Sequence, residues 1–200
     1  MKKNILKGIL VFLIVLVVLL IINLVRNYMI IAKICESEES MKQSLNNYYY
    51  EQTTEYNMGN IKESKSEIYA LNGIYLNKNY TDGEPYTTNY VDKNTDEHLT
   101  VEDGAIIDEN TQIAIEEEYK NMLLTANNTK DEVIKNVILK NIFKPITKKD
   151  NQYIVKIDEF TVYINNDTNL IDKWESGDVT VTFKFESNVV TNEDVQKPVN

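Results

Sequence analysis

The stretch NNYYYEQTTEYN (residues 46–57) is where the chain changes from helical to extended character. Tyr and Thr dominate it, and aromatic and β-branched side chains favour strands because they pack well on a pleated surface. Side chains alternate between the two faces of a strand, so Tyr48 and Tyr50 share one face and Tyr49 lies on the other. We therefore predict that a β-sheet begins here.

A series of turn signals follows this strand. They are MGN (58–60), Asn72-Gly73, Asp82-Gly83, DKNTD (92–96) and Asp103-Gly104. Asn-Gly and Asp-Gly pairs favour tight hairpin turns, because their residues tolerate positive φ. The sequence thus predicts an antiparallel meander of roughly five or six short strands between residues 47 and 108.

The hydrophobic period becomes helical after this meander. Asn110 or Thr111 is placed to cap a first helix, and TKDE (129–132) has the capping-box pattern that opens a second one. We expect Pro145 to end the second helix, because proline cannot donate a backbone hydrogen bond. The apolar face of the first helix comprises Ile115, Tyr119, Met122, Leu123 and Ala126. The apolar stripe of the second comprises Val133, Ile134, Val137, Ile138, Ile142 and Phe143.

Four more strands are predicted after Pro145. Their sequences are QYIVKID (152–158), FTVYIN (160–165), LIDKWES (170–176) and DVTVTFKFE (178–186). In the last of them the side chains of Val179, Val181, Phe183 and Phe185 face one way. We expect the apolar stripe of the second helix to pack on that face.

Two segments of the second meander carry a family resemblance. They are YINNDTNLIDKW (163–174) and VTFKFESNVVTNEDVQKP (181–198). Together with the order helix, meander, two helices, meander, they resemble the LolA/LolB/RseB-like family of lipoprotein carriers over about residues 33–199. The resemblance implies an α+β fold in which helices cover an extracytoplasmic antiparallel half-barrel. The chain departs from the carriers by keeping an anchor, and its one Trp and five Phe against 13 Tyr weigh against acyl-chain carriage.

The N-terminal segment from Ile5 to Val25 is apolar except at Lys7, Gly8 and Asn23. As a helix it is about 31 Å long, which is enough to cross a hydrocarbon core of about 30 Å. The apolar run is longer than that of a secretory signal, and no small-residue cleavage site follows it. We therefore predict an uncleaved, single-pass signal anchor in a bacterial cell envelope. Lys2, Lys3 and Lys7 are expected to hold the N-terminus in the cytoplasm.

Cys35 is the only cysteine, and two roles are open to it. A lipoprotein cysteine follows small residues directly after the apolar core, but Lys33 and Ile34 occupy those positions here. Neighbouring carboxylates also oppose thiolate formation, and Glu36 is the next residue in the chain. We therefore expect Cys35 to be neither lipidated nor nucleophilic.

The charge of the chain is unevenly distributed. Four of the 21 basic residues precede Lys33, so the remainder carries 17 basic and 31 acidic residues, a formal charge of −14. Binding of nucleic acid needs clustered Lys and Arg that neutralise phosphates. The composition therefore excludes a nucleic-acid partner.

Motifs for catalysis and metal binding are absent from the sequence. There is no GxSxG, HExxH, CxxC or P-loop, and the single histidine, His98, is expected at the surface at the start of a strand. Asp92, Asn94 and Asp96 match the opening of a calcium loop, but Glu97 stands where that loop requires glycine. We expect a solvated hairpin turn there, no metal or other cofactor, and no enzymatic activity.

The sequence favours a membrane-anchored binding module. The predicted divisions are a cytoplasmic tip and anchor (1–27), a juxtamembrane helix (28–46) and an extracytoplasmic α+β domain (47–200). Tyr48, Tyr50, Tyr75 and Trp174 are the candidate binding residues, because such side chains join an apolar body to a polar tip. The expected ligand is an envelope protein, a peptide or a lipid. The alternative is a structural subunit of an envelope complex.

Overall fold

The computed structural model describes residues 2–42, 45–108 and 129–198. Within these ranges the chain forms two helices and one sheet of eleven strands. The helices are α1 (Lys2–Lys42) and α2 (Lys130–Lys140). The strands are β1 (Asn47–Tyr56), β2 (Glu63–Leu71), β3 (Ile74–Thr81), β4 (Glu84–Asp92), β5 (Glu97–Glu102), β6 (Ala105–Asp108), β7 (Thr147–Lys149), β8 (Gln152–Ile157), β9 (Phe160–Asn165), β10 (Ile171–Ser176) and β11 (Val179–Ser187).

The sheet is two meanders joined by the pairing of the first and last strands. Its order is β6-β5-β4-β3-β2-β1-β11-β10-β9-β8-β7, and every neighbouring pair is antiparallel. At the junction of the meanders Tyr50 lies opposite Phe185, and Thr54 lies opposite Val181. The expected α+β class, with a long apolar helix followed by an antiparallel sheet, is confirmed; the half-barrel shape and the extracytoplasmic placement remain predictions.

Most predicted strands are present, and two details of the second half were wrong. The three-residue strand β7 was missed, because its sequence TKK shows no alternation of apolar and polar residues. The helix α2 ends at Lys140 and not at Pro145. Asn141 ends it, because its side-chain amide donates to the carbonyls of Val137 and Lys156. The predicted helix between Asn110 or Thr111 and Ala126 lies outside the described residues.

Phe143 does not belong to the apolar stripe of α2, contrary to the prediction. The chain has already left the helix there, and the Phe143 side chain is 77% exposed. Ile142 is half-buried, whereas Val133, Ile134 and Val137 are buried in the core. The stripe therefore ends one turn earlier than its hydrophobic period indicates.

The helix α1 has two halves with different surroundings. The large apolar side chains between Ile5 and Val25 are nearly all exposed, and by length and composition this helix can cross a membrane. Beyond Arg26 the same unbroken helix buries one face in the sheet domain. That face recurs at helical spacing and comprises Asn27, Ile31, Ile34, Cys35, Glu38 and Met41.

The two faces of the sheet differ in cover. Directly opposed residues of antiparallel strands share a face, so the register assigns each side chain to one side. The helix-covered face packs against α1 and α2 in one apolar core that includes Tyr48, Tyr50, Ala70, Val155, Val162, Ile164, Val181 and Phe183. The opposite side, here the outer face, carries Tyr49, Glu51, Lys65, Glu67, Lys173 and Lys184.

The C-terminal tail is fixed to the sheet. The side-chain amide of Asn47 both donates to the Val190 carbonyl at 2.8 Å and accepts from the Val190 N–H at 2.9 Å. Val190 and Val195 are buried, and Lys197 pairs with Glu97 at the start of β5. The tail therefore reaches from β11 to β5 along the first meander.

We expect the membrane-distal half of α1 to be as important for stability as the sheet itself. Ile34→Ala and Phe183→Ala each remove a buried side chain, which typically costs about 2–5 kcal/mol of unfolding free energy. Lys33→Ala and Thr182→Ala are matched controls, because Lys33 and Thr182 directly precede Ile34 and Phe183 and are exposed. Urea denaturation of the detergent-solubilised chain measures all four, and equal losses in a variant and its control would contradict the packing described here.

Candidate functional site

The four binding residues predicted from the sequence lie together in the helix-covered core. Tyr48 and Tyr50 are 2% and 5% exposed, and Tyr75 and Trp174 are partly buried against the same cluster. The Tyr48 ring stacks on Phe185 with centroids 5.8 Å apart, and the Trp174 ring meets Phe160 edge-on at 5.2 Å. Packing accounts for their burial, and a ligand-binding role for them stays a prediction.

A second group of tyrosines lies on the outer face, where sequence reasoning did not place a site. The register of β1 with β2 sets Tyr49 opposite Tyr69 and Glu51 opposite Glu67, while β3 brings Tyr80 opposite Lys65. We call this group the tyrosine–carboxylate cluster. It comprises Tyr49, Glu51, Lys65, Glu67, Tyr69 and Tyr80.

Glu67 is the centre of the tyrosine–carboxylate cluster. Its carboxylate lies 2.7 Å from the Lys65 ammonium and accepts hydrogen bonds from Tyr80 at 3.1 Å and Tyr69 at 3.3 Å. Tyr49 donates to Glu51 at 2.5 Å, and the Lys65 ammonium also lies 3.2 Å from Glu51. The two carboxylates therefore share one cation, Lys65, and each accepts at least one hydrogen bond from a phenol.

These contacts fix the protonation states of the cluster. Burial alone would raise the pKa of Glu67, but Lys65, Tyr80 and Tyr69 hydrogen-bond to its carboxylate and bring the pKa below its ordinary value. Burial, followed by the charge of Glu67, raises the pKa of Tyr69 to about 12. Burial and the hydrogen bond to Glu51 likewise raise the pKa of Tyr49. At neutral pH the phenols therefore remain donors and Glu67 remains ionised, which suits recognition and not proton transfer.

Lysine side chains lie over tyrosine rings across the outer face. The ammonium groups of Lys78 and Lys184 are 4.9 Å and 5.3 Å from the ring centroids of Tyr69 and Tyr49. Beyond β11, the Lys173 ammonium lies 4.1 Å from the Tyr163 ring. A cation over an aromatic face is attracted by the ring quadrupole. The outer face is thus an ordered surface of rings, cations and carboxylates.

The chain offers no exposed nucleophile at its cysteine. Cys35 is fully buried in the core, and burial, followed by the charge of Glu38, raises the pKa of its thiol to about 12. The thiol is therefore neutral and shielded in the folded protein. This placement agrees with the expectation that Cys35 is neither lipidated nor reactive, although lipidation itself is untested.

His98 and the DKNTD segment were considered for metal binding. His98 lies at the start of β5 as predicted, but its side chain is only 16% exposed, so it is not a surface residue; its Nε2 is 3.5 Å from Asp96. Residues 92–97 form a hairpin turn in which Asp92 accepts from the Asn94 N–H at 2.8 Å. Within the described ranges, no group of three or more His, Cys, Asp or Glu side chains could hold a metal ion.

Comparison with known proteins leaves the geometry as the main guide to function. The sequence matches no protein-family model and no curated protein. The sheet is large and antiparallel, but no feature of it identifies the LolA-like fold. The resemblance to the lipoprotein carriers therefore remains a prediction.

The contribution of Glu67 to stability is expected to depend on pH. Its folded pKa is depressed, so the stabilisation is present above its unfolded pKa of about 4.3 and is lost as the pH falls through the lower folded value. Glu67→Gln should cost about 1.5–3 kcal/mol at neutral pH, the range for hydrogen bonds to a charged group, and progressively less in acid.

Urea denaturation of both chains across this acidic range measures the effect. Glu55→Gln, at an exposed position of β1, is the matched control and should cost little at any pH. A Glu67→Gln penalty that is the same in acid as at neutral pH would refute the ionised state assigned to this carboxylate.

Proposed function

We propose that the protein is a single-pass, membrane-anchored binding module of the bacterial cell envelope, with its sheet domain outside the cytoplasmic membrane. It is non-catalytic and recognises its ligand, a protein, peptide or lipid, through the domain that α1 carries. The single observation that carries the proposal is the two-sided use of α1. One half presents an exposed apolar surface long enough to cross a membrane, and the other half is part of the domain core.

The sharing of one helix supports a domain held in a fixed position on the membrane. A flexible linker would let a tethered domain rotate freely. Here the helix is unbroken from Lys2 to Lys42, so the sheet follows the orientation of the anchor. The positive-inside rule places the N-terminal lysines in the cytoplasm and hence the sheet outside.

The outer face supports a protein or peptide as the ligand. Tyrosine is enriched in protein interfaces, and charged side chains suit their rim. The tyrosine–carboxylate cluster supplies half-buried rings, and Lys78 and Lys184 border it. A partner with acidic and apolar side chains would complement this arrangement.

The alternative is a structural subunit of an envelope complex. The exposed apolar side chains of α1 favour it, since they could pack against another membrane helix as well as against lipid. The outer strands of the described sheet do not favour assembly by strand addition, because β6 has four residues and β7 has three. Replacing residues 5–25 with an unrelated membrane helix distinguishes the readings. A binding module keeps its partner after this replacement, and a subunit assembled through its anchor loses it.

The proposed topology predicts the result of proteolysis on intact protoplasts. Protease added outside should degrade the region after Lys33 and leave an N-terminal epitope tag protected. Both regions should be degraded after lysis, which serves as the control. Protection of the sheet domain in intact protoplasts would refute the extracytoplasmic placement.

The proposed binding face predicts where a partner can be cross-linked. A photoreactive phenylalanine at Lys184, on the outer face, should give a discrete adduct in living cells. The same residue at Lys135, which is exposed on the solvent side of α2, is the matched control and should give none. Adducts at Lys135 alone, or at neither position, would contradict recognition through the outer face.

A further inference from the structure

We propose that the junction of α1 with β7 and β8 binds an anionic glycerophospholipid, through its phosphate and one acyl chain. The lipid comes from the outer leaflet of the membrane that α1 is proposed to cross. The proposal rests on the membrane anchoring proposed above. It concerns a separate region, on the membrane side of the domain and away from the tyrosine–carboxylate cluster.

The segment after α2 is fixed to α1 at the end of its apolar half. Asn23 and Asn27 donate to the carbonyls of Ile142 and Asn141 at 3.2 Å and 3.3 Å, and Arg26 donates to the carbonyl of Ile146. Asn27 also accepts from the Ile146 N–H at 3.2 Å. Four hydrogen bonds therefore hold residues 141–146 beside the last turn of the apolar segment.

This position sets the depth of the segment. Asn23 precedes Val25, the end of the apolar run, by two residues, which corresponds to about 3 Å along a helix. With Ile5–Val25 in the hydrocarbon core, residues 141–146 lie at the boundary between the acyl chains and the head groups. Phe143 is 77% exposed there, and aromatic residues are favoured in that interfacial layer.

A groove of about 880 Å³ opens beside this segment, between α1 and the strands β7 and β8. Ile21, Ile22 and Val25 form an apolar wall before Arg26, and Met29 and Ile30 continue the apolar lining beyond it. Arg26, Lys148 and Tyr153 are the polar residues of the groove. The apolar wall is continuous with the surface of α1 that faces the hydrocarbon core. An acyl chain can therefore enter the groove directly from the bilayer, whereas a soluble ligand would have to arrive from water.

The charges of the groove favour a phosphate. Residues 142–149 contain Lys144, Lys148 and Lys149 and no acidic residue, although the chain from Lys33 onward carries a formal charge of −14. The Lys148 ammonium lies 5.7 Å from the Tyr153 ring centroid, and among the described residues it has no carboxylate partner. Arg26 uses one of its guanidinium N–H groups on Ile146 and retains others for a phosphate. Arg26 and Lys148 beside the apolar wall of Ile21, Ile22 and Val25 match the phosphate and the start of an acyl chain of one phospholipid molecule.

The test compares two adjacent lysines in the full chain. The chain is purified in detergent, mixed with equal amounts of phosphatidylglycerol and phosphatidylcholine of identical acyl chains, and its bound lipid is measured by native mass spectrometry. We expect preferential retention of phosphatidylglycerol, which Lys148→Gln lowers about fivefold, the equivalent of one cation near an anionic lipid surface. Lys149→Gln is the matched control and should not change retention, because Lys149 lies outside the groove beside Asp150.

Three outcomes would overturn the proposal. They are equal retention of the two lipids, equal effects of Lys148→Gln and Lys149→Gln, and full displacement of phosphatidylglycerol by inorganic phosphate or soluble glycerophosphoglycerol. The last result would reveal an ion site that makes no use of the acyl chain. Recovery of the chain in alkaline-washed membranes tests the anchor separately. A chain that remains in the membrane without lipid preference refutes this site alone, and a chain lost from the membrane refutes the anchor as well.

Discussion

Asn27 is completely buried, and both polar ends of its side-chain amide bond to the segment that follows α2. An unpaired buried amide is unfavourable, so these two hydrogen bonds restrict α1 to one height and one rotation relative to the domain. With that rotation set, Ile31 and Ile34 point into the core. The same contact places residues 142–149 beside the end of the apolar segment. The direction of the apolar half of α1, the packing of the core and the groove beside β7 and β8 thus depend on one polar contact.

The second organising constraint is the pairing of β1 with β11. These strands are the first and last of the sheet in sequence, and nine residue pairs, from Tyr48–Ser187 to Tyr56–Val179, join them. Either meander alone leaves a long strand with an unpaired edge, which is a site for aggregation. The outermost strands of the completed sheet are the short β6 and β7. We infer that the sheet becomes protected only after its C-terminal strand β11 has paired with β1.

Local chemistry made most of the strands predictable. Asn72, Asp82 and Asp103 adopt φ of 50°, 51° and 49°, and each precedes a glycine, so the hairpin positions follow from residues that accept left-handed backbone. The alternation of Tyr48, Tyr49 and Tyr50 likewise separated the two faces of β1. It could not show which face the helices cover, because both carry tyrosine, and the outer cluster was therefore missed. Its signal was present in the alternating Tyr49 and Glu51, but their partners come from strands whose register only the fold determines.

The end of α2 was mispredicted for a related reason. The hydrophobic period continues through Ile142 and Phe143, and in an isolated soluble helix both would be expected to face the core. Instead, the side-chain amide of Asn141 donates a hydrogen bond to the carbonyl of Lys156 in β8, and that of Asn23 in α1 donates to the carbonyl of Ile142. Asn23 was visible in the sequence only as a polar interruption of an apolar run. If that run crosses a membrane as proposed, the exposure of Phe143 has a physical rationale, because its ring would then lie beside the bilayer and not in water.

The charge distribution bears on the proposed placement of the domain beside a membrane. A domain with a formal charge of −14 is repelled by an anionic membrane surface, and at physiological salt this repulsion extends over about one Debye length of 8 Å. Lys144, Lys148 and Lys149 lie in the one segment that hydrogen bonds join to α1 beside the end of its apolar run. In the proposed membrane setting, attraction at this segment and repulsion of the acidic remainder would favour the same position of the domain as the unbroken helix does.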